Sequence, residues 1–280
     1  MRNSQKSKQY KLFMCIGALG LAMTSTTFAA IAPYTVDTDT LHLWHFDEAA
    51  SASTAQDSVV IGGYALTNMN RATLGNAGLP AFGNAGDTSA ASNSILRSSS
   101  STTAPVGTGG AFTYEAMINI STTAGTQQIF AMENNNASAS LRPFWFRINE
   151  GVLGFTNLAG GGTGSSNIPT TGDDAFVANE WFHVAVTYDG NQGTAGNLKL
   201  YWTRVDASRT KANLIGSASI NDLSTTATAM YGIGNDNRTT GTGNRSNLKG
   251  RIDEVRLSGI ARDAKDMLFF TPRGTRISFF

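Results

Sequence analysis

The stretch that decides the fold is WFHVAVTYDG, residues 181–190. In an extended chain every second side chain points to the same face of a sheet. One face of this stretch is wholly apolar or aromatic, whereas the other mixes apolar residues with His183 and Thr187. The DGNQG at 189–193 is typical of a turn. Because both faces carry apolar side chains, the stretch predicts a strand in the interior of a sheet.

The same alternation recurs along the chain. Sustained 3.6-residue periodicity is absent except in RDAKDMLFF at 262–270, which predicts a helical turn or two. Many strands separated by turns, with no helices between them, predict an antiparallel all-β sandwich or barrel. The other predicted strands include FTYEAMINI (112–120), QQIFAME (127–133), FWFRI (144–148), LKLYWTRV (198–205) and KGRIDEVRLSG (249–259).

The N-terminus has the layout of a secretory signal peptide. Four basic residues precede an apolar run at 12–23, and the polar, small-residue sequence TSTTFAA follows. About 12 apolar residues are too few to span a bilayer, which needs about 20. We therefore predict a signal peptide at 1–29, cleaved after Ala29, and export to the medium, the cell surface or the periplasm. Residues 30–280 are expected to form a single domain without a membrane span.

Composition limits the chemistry of the mature chain. The only cysteine, Cys15, lies in the predicted signal peptide, which leaves no disulfide and no thiolate metal site. Removing the four basic residues of 1–29 from the 21 Lys and Arg leaves 17 against 20 Asp and Glu, a net charge of −3. No run of basic residues is present, so nucleic acid is not an expected partner.

Three motifs in order carry a family resemblance: LWHFDE (43–48), EWFHVAVTYDG (180–190) and LKGRIDEVRLSGIARD (248–263). Residues 41–268 resemble the laminin-G-like jelly-roll family of the concanavalin A-like lectin/glucanase superfamily. The resemblance implies two antiparallel sheets, one of them often concave and used for carbohydrate. The sequence departs from the family at Met117, where a tryptophan is usual. It also departs after LKLYW, where a longer connection replaces a short hairpin and could alter ligand contacts.

No catalytic residue is predicted. Glycosidases on this superfold use paired acids on alternate strand positions, which face one cleft. Here the acid pairs are adjacent instead: 47–48, 173–174 and 253–254. Neighbours on a strand point to opposite faces, so such pairs are poor acid/base dyads. His183 lies in an apolar strand without an evident serine or aspartate partner.

A structural calcium ion is the strongest chemical candidate. Calcium takes about 6–8 oxygen ligands, and the resemblance brings four carboxylates to the first and last strands and the loop after the first: Asp47, Asp57, Asp253 and Glu254. An alternative of equal weight is that Asp253 and Glu254 pair with Arg251 or Arg256. The segment LHLWHFDE (41–48) offers His42 and His45 as further metal ligands, but strand geometry puts them on opposite faces.

Two aromatic residues are candidates for contact with a sugar. Trp145 lies opposite Phe144 and Phe146 in the strand, and Tyr201 lies opposite Trp202. The alternative is that Trp145 fills the core and the phenylalanines face outward.

The sequence predicts a secreted, non-catalytic domain that binds a glycan or cell-surface polysaccharide, or mediates adhesion. The alternatives are a polysaccharide hydrolase or lyase on the same superfold, and a structural surface protein.

Overall fold

The computed structural model describes residues 32–267 apart from 60–63, 70, 81, 105, 107–108, 134–141, 207–208 and 237–245. The predicted signal peptide at 1–29 and the C-terminal tail at 271–280 lie outside the described residues.

The described residues form strands and turns without a helix, as the sequence predicted for an all-β fold. The described part of 262–270, predicted as a helical turn or two, is a non-helical turn. No helix long and apolar enough to cross a membrane occurs in the described ranges. The strands are β1 (Thr40–Trp44), β2 (Thr54–Ala55), β3 (Leu66–Met69), β4 (Thr73–Ala77), β5 (Asn84–Asp87), β6 (Ile95–Ser98), β7 (Thr102–Thr103), β8 (Phe112–Ile120), β9 (Thr126–Glu133), β10 (Phe144–Asn149), β11 (Val152–Asn157), β12 (Thr163–Asn167), β13 (Trp181–Tyr188), β14 (Leu198–Arg204), β15 (Leu214–Ala218), β16 (Thr228–Ile233) and β17 (Gly250–Ser258).

Two antiparallel sheets make the sandwich. The first has the order β15-β14-β13-β8-β17-β5-β4, with β1 also paired to β17. The second has the order β12-β11-β10-β9-β16-β6-β3-β2, with β7 paired to β16. Strand β13 lies between β8 and β14, which confirms the interior position predicted from its two apolar faces.

The core lies between the inner faces of the two sheets. From β8 it takes Phe112, Tyr114, Ala116 and Ile118, which alternate with residues on the outer face. Trp44 and Trp202 are both fully buried in it. Burial of a large apolar side chain stabilises a fold by about 1.5–3 kcal/mol, so this alternating set supplies much of the driving force.

A β-bulge interrupts β17 at Asp253 and Glu254. The register to β8 shifts between Asp253 and Arg256, and Glu254 has a positive φ of 49°. A bulge inserts one extra residue into a strand, which breaks the alternation of faces. Asp253 pairs with Met117, and Glu254 accepts a hydrogen bond from the backbone of Tyr34; both partners belong to a cluster on the outer face. The prediction that these adjacent acids point to opposite faces was therefore wrong.

Candidate functional sites

Asp253 is a buried carboxylate with one unused oxygen. Its side chain is inaccessible to solvent. Oδ1 accepts a hydrogen bond from the backbone N–H of Glu254 at 2.8 Å, whereas Oδ2 has no hydrogen-bond partner among the described residues. Burial raises the pKa of Asp253 to about 9, and the negative charges of Glu254 and Asp47 contribute to the rise. Without a cation, this carboxyl group therefore favours its protonated form at neutral pH.

Other oxygens surround the same position. A methyl group placed on Gly78 would lie 2.9 Å from Asp253 Oδ2 and 2.9 Å from each of the backbone carbonyl oxygens of Gly83 and Asn84. Only a glycine at 78 leaves this space open. A carboxylate and two carbonyls around one vacant point form the oxygen-rich donor set that calcium accepts. We call Asp253, Gly78, Gly83, Asn84 and the neighbouring Asp47 the Asp253 cradle.

The four predicted calcium ligands divide into two groups. Asp47 lies at the cradle, where its Oδ1 accepts a hydrogen bond from the backbone N–H of Asn84 at 2.9 Å. Both oxygens of Glu254 are engaged, by His45 at 2.7 Å and by the backbone N–H of Tyr34 at 2.7 Å. Asp57 is engaged elsewhere, as a partner of His42. Among the described residues, no three His, Cys, Asp or Glu side chains come together as a metal site. Any metal at the cradle therefore depends on backbone carbonyls.

The expected pairing of Asp253 and Glu254 with Arg251 or Arg256 does not occur. Arg251 donates a hydrogen bond to the backbone carbonyl of Ala77 at 2.7 Å. Arg256 pairs with Glu115, its cross-strand partner on β8. The β-bulge separates Arg256 from the two acids, so the alternative considered for the acid pair is wrong.

Glu115 is the centre of a second buried group on the outer face of the first sheet. Its Oε2 accepts a hydrogen bond from Tyr34 Oη at 2.6 Å and lies 3.0 Å from His183 Nε2. Its Oε1 accepts a hydrogen bond from Arg256 Nε at 2.8 Å. Burial alone would raise the pKa of Glu115, but the Arg256 charge and the His183 hydrogen bond outweigh it and lower the pKa to about 2. We call these four residues the Glu115 cluster.

Sequence reasoning did not single out Glu115. A signal was present, because Glu115 is the one charged residue within the apolar strand FTYEAMINI. A buried charge requires a partner, and Arg256 in the last strand supplies it. Tyr34 belongs to the chain before β1, so this group also fastens the N-terminal segment onto the sheet.

The two histidines of LHLWHFDE lie on opposite faces, as predicted. His42 stacks on Trp44 with ring centroids 5.4 Å apart and places Nδ1 2.6 Å from Asp57 Oδ2. Asp57 Oδ1 also accepts backbone hydrogen bonds from Leu43 and Val59. His45 Nδ1 is on the outer side, at Glu254, and this hydrogen bond raises the pKa of His45. Each histidine is paired with a separate carboxylate.

Trp145 lies on the outer face of the second sheet. Phe144 and Phe146 on either side of it are buried in the core, which excludes the alternative orientation. The indole is partly buried, and the Arg147 guanidinium carbon lies 4.1 Å from its ring centroid. Arg142 lies 6.0 Å from the same centroid. Trp145 is thus an aromatic surface residue flanked by two cations.

Tyr201 faces outward from the first sheet but is covered. It is 5% exposed and packs with Ala185, Ala212 and Met267. One side of it reaches an open groove of about 530 Å³ formed by β14, β15 and the connection between them. We call this the β14–β15 groove; it is lined by Asp174, Lys199, Tyr201, Thr203, Arg209, Thr210, Lys211, Ala212, Asn213, Leu214 and Ala264.

The sequence matches the family described as the concanavalin A-like lectin/glucanases superfamily over residues 91–267. The match covers more than half of the chain and agrees with the two-sheet sandwich. The chain belongs to this superfamily. The search of curated proteins finds no match.

Solved structures resemble the chain at low sequence identity. Domain 4 of AbnA, a GH43 extracellular arabinanase from Geobacillus stearothermophilus solved with arabinotriose, is 16% identical with a TM-score of 0.51. That similarity covers 82% of this chain and 96% of the domain. The Trypanosoma rangeli sialidase in complex with sialic acid is 13% identical with a TM-score of 0.49, over 86% of this chain and 35% of that one. The botulinum neurotoxin serotype G binding domain is 12% identical with a TM-score of 0.49, over 82% and 50%. The chain thus spans a third to a half of the last two proteins and nearly all of the arabinanase domain.

Proposed function

We propose that the protein is a secreted carbohydrate-binding or adhesion domain that acts by binding a glycan, not by catalysis. The observation that carries the proposal is the β14–β15 groove, whose volume of about 530 Å³ lies within the range of roughly 300–1,000 Å³ for ligand sites. Hydroxyl, amide and charged groups line it, and these are the groups that bind sugar hydroxyls. The solved arabinanase domain of similar extent is in complex with arabinotriose, which motivates the same ligand class here.

The engagement of three buried carboxylates, those of Glu115, Glu254 and Asp57, favours binding over hydrolysis. A glycosidase requires two carboxyl groups that flank the scissile bond and exchange protons with it. Glu115 is occupied by Arg256, His183 and Tyr34. Glu254 is held by His45 and a backbone N–H group. Asp57 is held by His42 and by backbone N–H groups. Carboxylates bonded in this way maintain structure.

Trp145 is the second contact that we propose for a glycan. Sugars stack on aromatic faces, and guanidinium groups beside the ring donate hydrogen bonds to hydroxyl or acidic groups. Arg147 already covers part of this ring at 4.1 Å. A ligand at Trp145 would therefore lie beside the guanidinium or replace it.

We also propose that a calcium ion stabilises the domain at the Asp253 cradle. Asp253, Asp47 and the carbonyls of Gly83 and Asn84 would hold it. The unpartnered Asp253 oxygen and the space that Gly78 leaves open support this proposal. The charge of the cation would offset the cost of burying Asp253 in ionised form. The protein has no cysteine after residue 15, so an ion would hold these loops where no disulfide can form.

A glycan array with the mature protein, in calcium and after chelation, tests the proposed function. We expect at least one polysaccharide to bind and the Trp145→Ala or Lys199→Gln variant to weaken that binding. Isothermal titration of CaCl₂ into chelator-treated protein tests the metal. Release of reducing sugar from a bound polysaccharide would instead indicate a hydrolase, and failure to bind any glycan would favour a structural surface protein.

A further inference from the structure

We propose that the β14–β15 groove recognises an anionic glycan, one that carries carboxylate or sulfate groups. The inference deepens the proposed function and rests on it. It assigns both a location and a ligand chemistry: the groove lies at β14, β15 and the connection between them.

An ion pair and two hydrogen bonds hold the described walls of the groove. Arg209, in the β14–β15 connection, pairs with Asp174 at 2.9 Å, which ties the connection to the 173–174 turn. The backbone N–H of Ala212 donates to the carbonyl of Ala264 at 2.7 Å. The backbone N–H of Asn213 donates to Thr203 Oγ1 at 2.8 Å. A preformed site loses less conformational entropy on binding.

The charge of the lining is positive although the mature chain is net negative. Lys199, Lys211 and Arg209 line the groove, and Asp174 is the only acidic lining residue in the described part of the chain. Arg209 pairs with Asp174 at 2.9 Å and lies 3.9 Å from Asp173. Lys199 and Lys211 are therefore the lining cations outside this ion-pair group. Asp263 is near enough to raise the pKa of Tyr201, but it is not a lining residue. Two ammonium groups at the mouth of a groove favour an anion.

The described residues of the groove present no exposed aromatic ring for a neutral sugar to stack on. Among the described lining residues Tyr201 is the only aromatic one, and it is 5% exposed, under Ala212 and the 264–267 segment. Leu214, at 51% exposure, supplies the main apolar contact at the rim. Affinity must therefore come mainly from hydrogen bonds and charge, and charge-assisted hydrogen bonds are the stronger kind.

Two matched ligand pairs test the inference: polygalacturonate against its methyl ester, and dextran sulfate against dextran. The first pair tests carboxylate and the second tests sulfate. Binding is measured by biolayer interferometry at low and at physiological salt. We expect at least one anionic member to bind about tenfold tighter than its neutral partner, with binding weakened by added salt.

The variants Lys199→Gln and Lys211→Gln, alone and together, test the location. Lys249→Gln is the matched control, because Lys249 is exposed but does not line the groove. We expect the double variant to lose about tenfold in affinity for the anion and the control to stay within about twofold. Melting curves verify that each variant is folded.

The possible failures are distinguishable. Unchanged anion binding by the folded double variant would overturn the location. Equal binding of the charged and neutral members would overturn the anionic class and leave the proposed function intact. If neither these four polymers nor any glycan of the array binds, the proposed function fails and this inference with it.

Discussion

The Glu115 cluster and the Asp253 cradle are two buried carboxylate sites on one face of one sheet. They lie on the neighbouring strands β8 and β17, and neither carboxylate is more than 2% exposed. Yet the pKa of Glu115 is lowered to about 2, whereas that of Asp253 is raised to about 9. Because the two carboxylates are buried to a similar extent, the groups around each of them must account for the difference in pKa.

Burial raises the pKa of both groups, and their different partners account for the difference between the two pKa values. Glu115 meets an arginine, a histidine and a tyrosine hydroxyl, so its negative charge is balanced within the protein. Asp253 meets carbonyl oxygens and other carboxylates, so its charge is opposed. The first site is complete without a ligand. The second has the composition of a site that requires a cation or a proton.

The largest expected effect comes from Glu115→Gln. The change leaves Arg256 as a buried cation without its carboxylate, and breaking a buried ion pair costs about 3–5 kcal/mol. Urea unfolding followed by tryptophan fluorescence measures the loss. The matched control is Glu180→Gln, which removes a half-exposed ion pair with Arg204 and should cost about 0–1 kcal/mol. Comparable losses in the two variants would contradict the role given to Glu115.

Removal of calcium should have the next largest effect. A ligand present at about 100 times its Kd stabilises the folded state by about 2.7 kcal/mol. We expect chelation to remove such a gain from the wild type. Asp253→Asn should lose the response to calcium without being less stable than the chelated wild type at neutral pH, since that carboxyl group is already neutral when no cation is bound. A melting temperature independent of calcium in the wild type would disprove the site.

In the chelated protein, Asp253 and Glu115 should make the folding stability depend on pH in opposite directions. We call the loss of stability toward high pH the alkaline limb and the loss toward low pH the acidic limb. An unfolded Asp titrates near 3.9, and folded Asp253 near 9. The folded state therefore holds the extra proton, and stability falls as pH rises between these values, by up to about 1.4 kcal/mol per unit.

Glu115 gives the acidic limb. It titrates near 4.3 when unfolded and near 2 when folded, so stability falls as pH drops through that window. Urea unfolding at pH steps from 2 to 9 measures both limbs. Asp253→Asn should flatten the alkaline limb, as should added calcium, while the acidic limb stays. An alkaline limb unchanged by either treatment would contradict the assignment.

The smallest expected effect is that of Gly78→Ala, which alters the cradle without changing charge. The added methyl would lie 2.9 Å from three oxygens and should weaken calcium binding by about tenfold, or about 1.4 kcal/mol. Gly259→Ala is the control, since its methyl would make only ordinary contacts with Leu41. Calorimetric titration compares the two variants, and equal affinities would show that the vacant point is not the metal position.

Alternation and turn chemistry allowed much of the fold to be predicted from the sequence. The inner and outer residues of β8, the interior position of β13 and the opposite faces of His42 and His45 all follow from a period of two. The same rule failed at Asp253 and Glu254, because a bulge adds one residue to β17 and breaks the alternation of faces. The bulge is defined by the pairing of β17 with β8, which lies far away in the sequence. The candidate site was predicted only in part: Asp47 and Asp253 meet at the cradle, but Glu254 and Asp57 have other partners.

The sequence by itself determined the all-β class, the strands and their apolar faces, since these depend on neighbours along the chain. Only the tertiary structure decided which aromatic residues of 144–146 face the core, because both faces of that strand carry aromatic residues. It also decided that Tyr201 is covered, that Arg256 meets Glu115 instead of the adjacent acids, and that Gly78 leaves a space among oxygens from distant segments. These features depend on contacts between residues far apart in the chain, so the local sequence pattern cannot predict them.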